Sequence, residues 1–382
     1  MENSATYAIF DLVRNLRARG TSVIDLGGGE PAFDTPRHIT DEAVTALYGG
    51  FTHYTPSRGT PELLSAIAGK LEEENGVAVD PTRDIVVTPS AKHALFISLL
   101  TVLDPGDELL VLTPGWVSYG AMARLAGARP VPVALSPADG FRITRERLES
   151  RVTGRTRALL VNTPNNPTGR ALSSGEAAVI AAFARDHDLF IVTDEIYEKI
   201  LYDGTRHLSL AALPGCAERT LTVNGFSKAY AMTGWRLGWV SGPGRLVGEA
   251  LKALQHTVGC ASAFVQRGGA TALLGPQDAV GRMTAEYASR RKLIIDGLNA
   301  LPGIVCAPPE GTFYAFADIV GTGAADSATY AEWLLREAGV AVTPGSAFGA
   351  GGEGHVRLSF AASREDIEEA LERMGSAMAR WG

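Results

Sequence analysis

At 382 residues the chain is long enough for two domains, at roughly 150 residues each, and for a large buried core. Hydrophobic residues make up 46% and charged residues 20%, which excludes a disordered, collagen-like or coiled-coil chain. With 35 basic and 42 acidic side chains the formal charge is −7, so neither nucleic acid nor an anionic membrane is an expected partner. In chain order, Met1 to Gly20 is mixed polar with three arginines and no apolar stretch, so no signal peptide is expected. From about Asp84 short apolar runs alternate with helical patterns. The runs predict strands at Asp84–Thr88, Glu108–Thr113, Arg157–Asn162, Leu189–Thr193, Leu221–Val223 and Leu237–Val240. Helices are predicted at Ala91–Leu103, Ser118–Gly127 and Gly175–Asp186. Runs that are apolar on both faces and joined by helices indicate a mostly parallel sheet covered on both sides. Around Gly275-Pro276 the pattern changes to a long charged helix, Met283–Leu298, and shorter strands near Phe313–Phe316 and His355–Ser359. The expected fold is therefore α/β: a large domain, 37–275, with a mostly parallel sheet sandwiched by helices, and a smaller α+β domain, 276–382. The segment 1–36 is expected to pack with the smaller domain. No apolar run reaches the ~18–20 residues of a membrane span. Three scattered cysteines (Cys216, Cys260, Cys306) argue against a disulfide framework and a structural metal site, and for a reducing, cytoplasmic setting.

In an open α/β sheet, ligands sit at the carboxyl ends of the strands, so reactive groups are expected just past the predicted runs. Lys228, in Asn224-Gly-Phe-Ser227-Lys228, follows a strand; in a dry pocket its amine loses basicity and can form a Schiff base. Alone, it also reads as a surface lysine. Arg236 lies eight residues on, where a guanidinium can clamp a phosphate. Asp194 ends another strand, and a carboxylate at the mouth of a buried sheet is costly unless it meets a cation. A protonated pyridine nitrogen is one such cation; a plain helix-capping Asp is the alternative. Tyr197, three residues on, and Asn166, in the turn-rich loop Asn162–Gly169, can each reach a ring oxygen. Ser90-Ala91-Lys92 opens a helix, where main-chain N–H groups bind phosphate. Lys92 opposes the helix dipole there by ~0.3–1 kcal/mol, which implies an anion nearby or a solvated lysine that tolerates the cost. Trp116 can plate an aromatic ring or fill the core. Arg357, in an alternating strand, is either an exposed-face residue or a bidentate clamp for an α-carboxylate.

Together these residues resemble the class I and II aminotransferases of pyridoxal phosphate fold type I. The resemblance runs from Gly29–Pro36 through Tyr54–Gly59, Asn165–Gly169, Asp194–Tyr197 and the Ser227-Lys228 segment with Arg236, to Arg357–Ser359. It implies pyridoxal 5'-phosphate held by Lys228 as a Schiff base, with Lys228 also moving the proton. It implies Asp194 on the pyridinium nitrogen, and Tyr197 and Asn166 on the ring oxygen. The main chain of Ala91 and Lys92, with Arg236, would hold the phosphate, Ser227 would contact the cofactor, and Trp116 would stack on the ring. Arg357, the Gly29 main chain and Asn166 would bind the substrate α-carboxylate. Tyr54 would cross to the phosphate of a neighbouring subunit, making a homodimer with shared sites. Two departures, Ser90-Ala91 where glycines are common and Gly225 where a serine is common, imply rearranged phosphate contacts.

The motifs are nearest to the aspartate and prephenate aminotransferase branch, where a lysine at the place of Lys92 reaches a distal carboxylate and a Ser-x-Thr lies near the N-terminus, as in Ser4-Ala5-Thr6. The resemblance thus implies transfer of an amino group between aspartate or glutamate and a 2-oxo acid. A β-eliminating or other pyridoxal-phosphate outcome, or an aromatic or neutral donor, stays open at this level. A nicotinamide enzyme is disfavoured. Gly242-Pro-Gly244 through Gly248 mimics a dinucleotide loop, but no acidic residue follows at the required place, around Cys260–Ala263. A non-catalytic ligand sensor is disfavoured because every catalytic position is filled.

Overall fold

The computed structural model describes residues 13–15, 18, 20 and 22–380. A short strand β1 (Ile24–Asp25) precedes helices α1 (Arg37–Tyr48) and α2 (Pro61–Asn75). Strands and helices then alternate as β2 (Ile85–Thr88), α3 (Ala91–Val102), β3 (Glu108–Thr113), α4 (Ser118–Leu125), β4 (Arg129–Ala134) and α5 (Arg145–Glu149). They continue as β5 (Thr156–Asn162), α6 (Ser174–Asp186), β6 (Phe190–Asp194), β7 (Thr220–Gly225) and β8 (Gly238–Ser241). Helices α7 (Gly244–Thr257), α8 (Ala263–Leu274) and α9 (Asp278–Asn299) lead to β9 (Tyr314–Asp318) and α10 (Ser327–Glu337). Strands β10 (Val340–Ala341), β11 (Thr343–Pro344) and β12 (His355–Ser359), then helix α11 (Arg364–Met378), complete the order.

The large sheet has the order β2-β8-β7-β6-β5-β3-β4. Strands β7, β6, β5, β3 and β4 run parallel, and only β8 runs against its neighbours. Alternate residues of β3 feed opposite faces. Leu109 and Val111 join one core cluster, while Leu110 and Leu112 join the other. Covering both faces is why these runs read as continuously apolar. Within this large sheet, strand β4, Arg129-Pro-Val-Pro-Val-Ala134, is the one that sequence reading misses. Its two prolines lack the N–H needed on both sides, so it sits at the sheet edge, where prolines are tolerated.

The C-terminal third forms a separate antiparallel sheet, β11-β12-β9. The early chain is stitched to it: β1 pairs with β10, and Ser359 N–H donates to Leu26 O at 2.6 Å. This stitching carries Gly27, Gly29 and Arg357 to the same place. Among the described residues no helix is long and apolar enough to cross a membrane.

Candidate active site

The carboxyl ends of β2, β3, β5, β6 and β7 open onto a cavity of about 290 Å³, closed on the other side by β9, β12 and the Gly29 segment. Eleven of the twelve sequence-predicted site residues line it: Gly29, Ala91, Lys92, Trp116, Asn166, Asp194, Tyr197, Ser227, Lys228, Arg236 and Arg357. Tyr54 does not. It stands 96% exposed on this chain, and Val44, Leu47, Tyr48 and Phe51, just before it in sequence, are exposed as well. Ser4-Ala5-Thr6 lies outside the described residues.

Local backbone chemistry explains how the strand ends reach inward. Helix α3 begins at Ala91 so close to β8 that a Cβ on Gly238 would lie 2.3 Å from Ala91 N. Ser90, its N-cap, has φ 112° and ψ 154°, a region that glycine occupies freely and that costs other residues about 1–3 kcal/mol. Its Oγ accepts the His93 N–H at a long 3.3 Å, and such a cap typically contributes ~1 kcal/mol, which offsets part of that strain. The main chain therefore keeps a glycine-like path where the sequence has Ser90. Arg236 is also left-handed, φ 55°, with its Nη1 donating to Thr233 O at 2.6 Å. Gly29 must lack a side chain, because a Cβ there would sit 2.5 Å from the Tyr314 hydroxyl.

Burial dominates the electrostatics. The Asp194 carboxyl is pushed up to about 6 by burial, despite hydrogen bonds from the Tyr119 hydroxyl (2.8 Å) and the Ile196 N–H (3.3 Å). Here desolvation outweighs both donors, and a cation brought beside Asp194 would restore its ordinary acidity. Lys228 is pulled down to about 8, chiefly by burial and further by the positive charges of Arg357 and Arg236. Its ammonium donates to Gly29 O at 2.5 Å. The Tyr197 and Tyr314 hydroxyls lie 2.9 Å apart, and burial raises both phenols. Arg357 is 2% exposed and, among the described residues, meets no carboxylate. Its guanidinium donates to Asn166 Oδ1 (2.9 Å), Gly27 O (2.6 Å) and Thr343 Oγ1 (3.3 Å), stacks 4.3 Å above the Tyr314 ring, and leaves Nε without a partner. A buried cation of this kind invites an anionic ligand.

Behind β6 a buried ionic network braces the strand end. Glu195 accepts from His207 (2.8 Å) and Ser209 (3.0 Å), while Glu198 pairs with Lys70 and accepts from Asn75 (2.9 Å).

Sequence reasoning did not single out Glu30, Ser118, Tyr119, Asn162, Ile196, Thr233 or Tyr314, all of which line the cavity. Asn162 carried a usable signal, since it ends β5. Tyr314 carried none, because only the pairing of β9 with β12 brings it beside Arg357. The glycine-rich start of α7 lies away from the cavity. Gly242 N–H donates to Asp84 O, at the opposite edge of the sheet.

The family model of aminotransferase class I and II matches residues 21–374. The chain is 51% identical over 378 residues to an aspartate aminotransferase of Musicola paradisiaca, covering 99% of this chain and 94% of that one. It is 43% identical to aromatic-amino-acid aminotransferase 2 of Thermococcus litoralis, covering 96% and 93%. Its fold superposes with a TM-score of 0.94 on the aspartate aminotransferase of Thermus thermophilus with maleate, at 42% identity and 99% and 97% coverage. The fold, the converging cavity and these likenesses agree: the chain belongs to the class I and II aminotransferases and is a pyridoxal-phosphate-dependent transferase of amino groups.

Proposed function

We propose that the enzyme moves the amino group of a dicarboxylic L-amino acid, aspartate or glutamate, to a 2-oxo acid. The carrying observation is the charge of the cavity wall. Four cationic side chains, Lys92, Lys228, Arg236 and Arg357, face two acidic ones, Glu30 and Asp194. That surplus suits a phosphate together with a substrate bearing two carboxylates. Relatives named aspartate aminotransferase, and the maleate-bound Thermus structure, support the same substrate class.

The cavity's donor set fits pyridoxal phosphate: a buried carboxylate lacking a cation, an amine of lowered basicity, and an N–H-rich helix start beside an arginine. When bound, the cofactor supplies an electrophilic carbon and a protonated pyridine ring that accepts electrons. Asp194 would face the ring nitrogen and Tyr197 the ring oxygen. The main-chain N–H groups of Ala91 and Lys92, with Arg236, would hold the phosphate, Ser227 would border the cofactor, and Trp116 would cover the ring. Lys228, about half neutral near pH 8 and more so above it, can bind the cofactor covalently and then carry a proton at Nζ. Arg357 would take the α-carboxylate beside the Gly29 main chain. Asn166 has committed Oδ1 to Arg357, so its Nδ2 is the end offered to a ligand oxygen. Lys92, whose ammonium lies 4.9 Å over the Trp116 ring, would meet the distal carboxylate.

The same reading includes a homodimer in which Tyr54 completes the partner's site. Its exposure along with that of Tyr48 and Phe51 supports this, as an apolar surface of that kind favours an interface. It also includes the division into 37–275 and 276–382, with 1–36 on the smaller part, supported by the β1–β10 pairing. A cytoplasmic location fits three unpaired cysteines.

A panel of amino donors assayed with 2-oxoglutarate tests the substrate. A charge-assisted hydrogen bond contributes ~1.5–3 kcal/mol, so Lys92→Ala should lower kcat/KM for acidic donors roughly 10–150-fold while sparing neutral ones. Equal losses would place Lys92 on the phosphate. A wild-type preference for phenylalanine or tyrosine would favour the aromatic reading, which the Thermococcus relative and the Trp116 wall also support.

A further inference from the structure

The Tyr119 hydroxyl donates to Asp194 Oδ2 at 2.8 Å, while Asp194 Oδ1 takes the Ile196 N–H at 3.3 Å. Tyr119 is 2% exposed and Asp194 4%, so bulk water cannot stand in for the phenol. Tyr119 lies one helical turn beyond Trp116: its N–H donates to Trp116 O, and the two rings meet edge to face at 5.4 Å. One short segment therefore carries both the plate for the cofactor ring and the donor to its acidic partner.

From this geometry we propose that Tyr119 is a positioning residue, whose hydroxyl holds Asp194 as the anion and thereby keeps their shared proton on the cofactor's pyridine nitrogen. The proposal rests on the assignment of Asp194 to that nitrogen. A carboxylate and a ring nitrogen compete for one proton, and a donor that stabilises the carboxylate makes it the weaker base. Other groups around Asp194 pull both ways. Burial and the charge of Glu195 favour the protonated acid, whereas Lys228 and the Ile196 N–H favour the anion. With the carboxyl already lifted to about 6, losing the phenol would let Asp194 take the proton from the ring. The phenol stays a donor throughout, since burial and Asp194 itself hold its ionisation well above the ordinary tyrosine range.

The test is the 15N chemical shift of holoenzyme reconstituted with ring-15N pyridoxal phosphate. Tyr119→Phe should still bind cofactor, yet its ring signal should move toward unprotonated pyridine. Its single-turnover rate with an amino donor should fall about tenfold or more, with little change in KM, since the bond lost is one to a charged group. Replacing Tyr119 by 3-fluorotyrosine, a stronger donor, should move the signal toward the fully protonated ring. That protein decides the matter if the Phe variant folds poorly. An unchanged signal in both proteins overturns the proposal. Asp194→Asn separates the two assignments. If it leaves the ring signal unmoved, Asp194 does not face the nitrogen. If it moves the signal and Tyr119→Phe does not, the role of Tyr119 alone fails.

Discussion

Replacing Arg357 by lysine keeps a positive charge in the cavity and removes the planar fork. In the folded protein Nη1 and Nη2 reach Asn166 Oδ1, Gly27 O and Thr343 Oγ1, and the guanidinium carbon lies 4.3 Å from the Tyr314 ring centre and 5.0 Å from that of Phe348. A lysine ammonium is a compact point charge and cannot satisfy these partners and a carboxylate together. The loss should approach one charge-assisted hydrogen bond, ~1.5–3 kcal/mol, which is roughly 10–150-fold in kcat/KM for any α-amino acid. The informative control is an amine with the same side chain but no α-carboxylate, whose slow turnover should be little affected. Steady-state kinetics on both substrates, with circular dichroism to confirm folding, gives the comparison. A loss of less than about threefold, or equal losses for both substrates, would show that Arg357 serves only to join β12 to the Gly27 and Asn166 segments.

The lowered basicity of Lys228 gives a pH test on cofactor-free protein. Burial disfavours the ammonium, so the neutral amine forms earlier, and labelling by trinitrobenzenesulfonate should rise through about pH 8 and level above it. A midpoint near the ordinary ~10.4 would refute the buried environment; borohydride reduction of holoenzyme should mark the Lys228 peptide and no other. The shared site predicts that inactive Tyr54→Ala and Lys228→Ala proteins, when unfolded together and refolded, regain activity. Random pairing leaves about a quarter of the sites intact in a two-fold symmetric dimer, so recovery near that level is expected and none at all argues against Tyr54 acting across an interface.

Much of the site was readable from the chain alone because strand ends place reactive groups at one edge of an α/β sheet. Asp194 follows a continuously buried strand, Lys228 follows another, and Ser90-Ala91-Lys92 starts a helix directly after a third. These are local relations, set by period and burial, and they survive folding unchanged. Tyr119 and Tyr314 belong to a different class. Tyr119 becomes a partner of Asp194 only when β3 and β6 are laid on either side of β5, across 75 residues. Tyr314 reaches Tyr197 and Arg357 only through the pairing of β9 with β12. Strand β4 was hidden for a related reason: its prolines read as loop until the sheet edge gives them a place without a missing hydrogen bond. The sequence by itself determined the chemistry, since residue type decides which groups can bind phosphate, carboxylate or an aldehyde. The tertiary structure decided acidity, as desolvation by distant segments lifts Asp194 and lowers Lys228, and no local pattern records how much water folding removes.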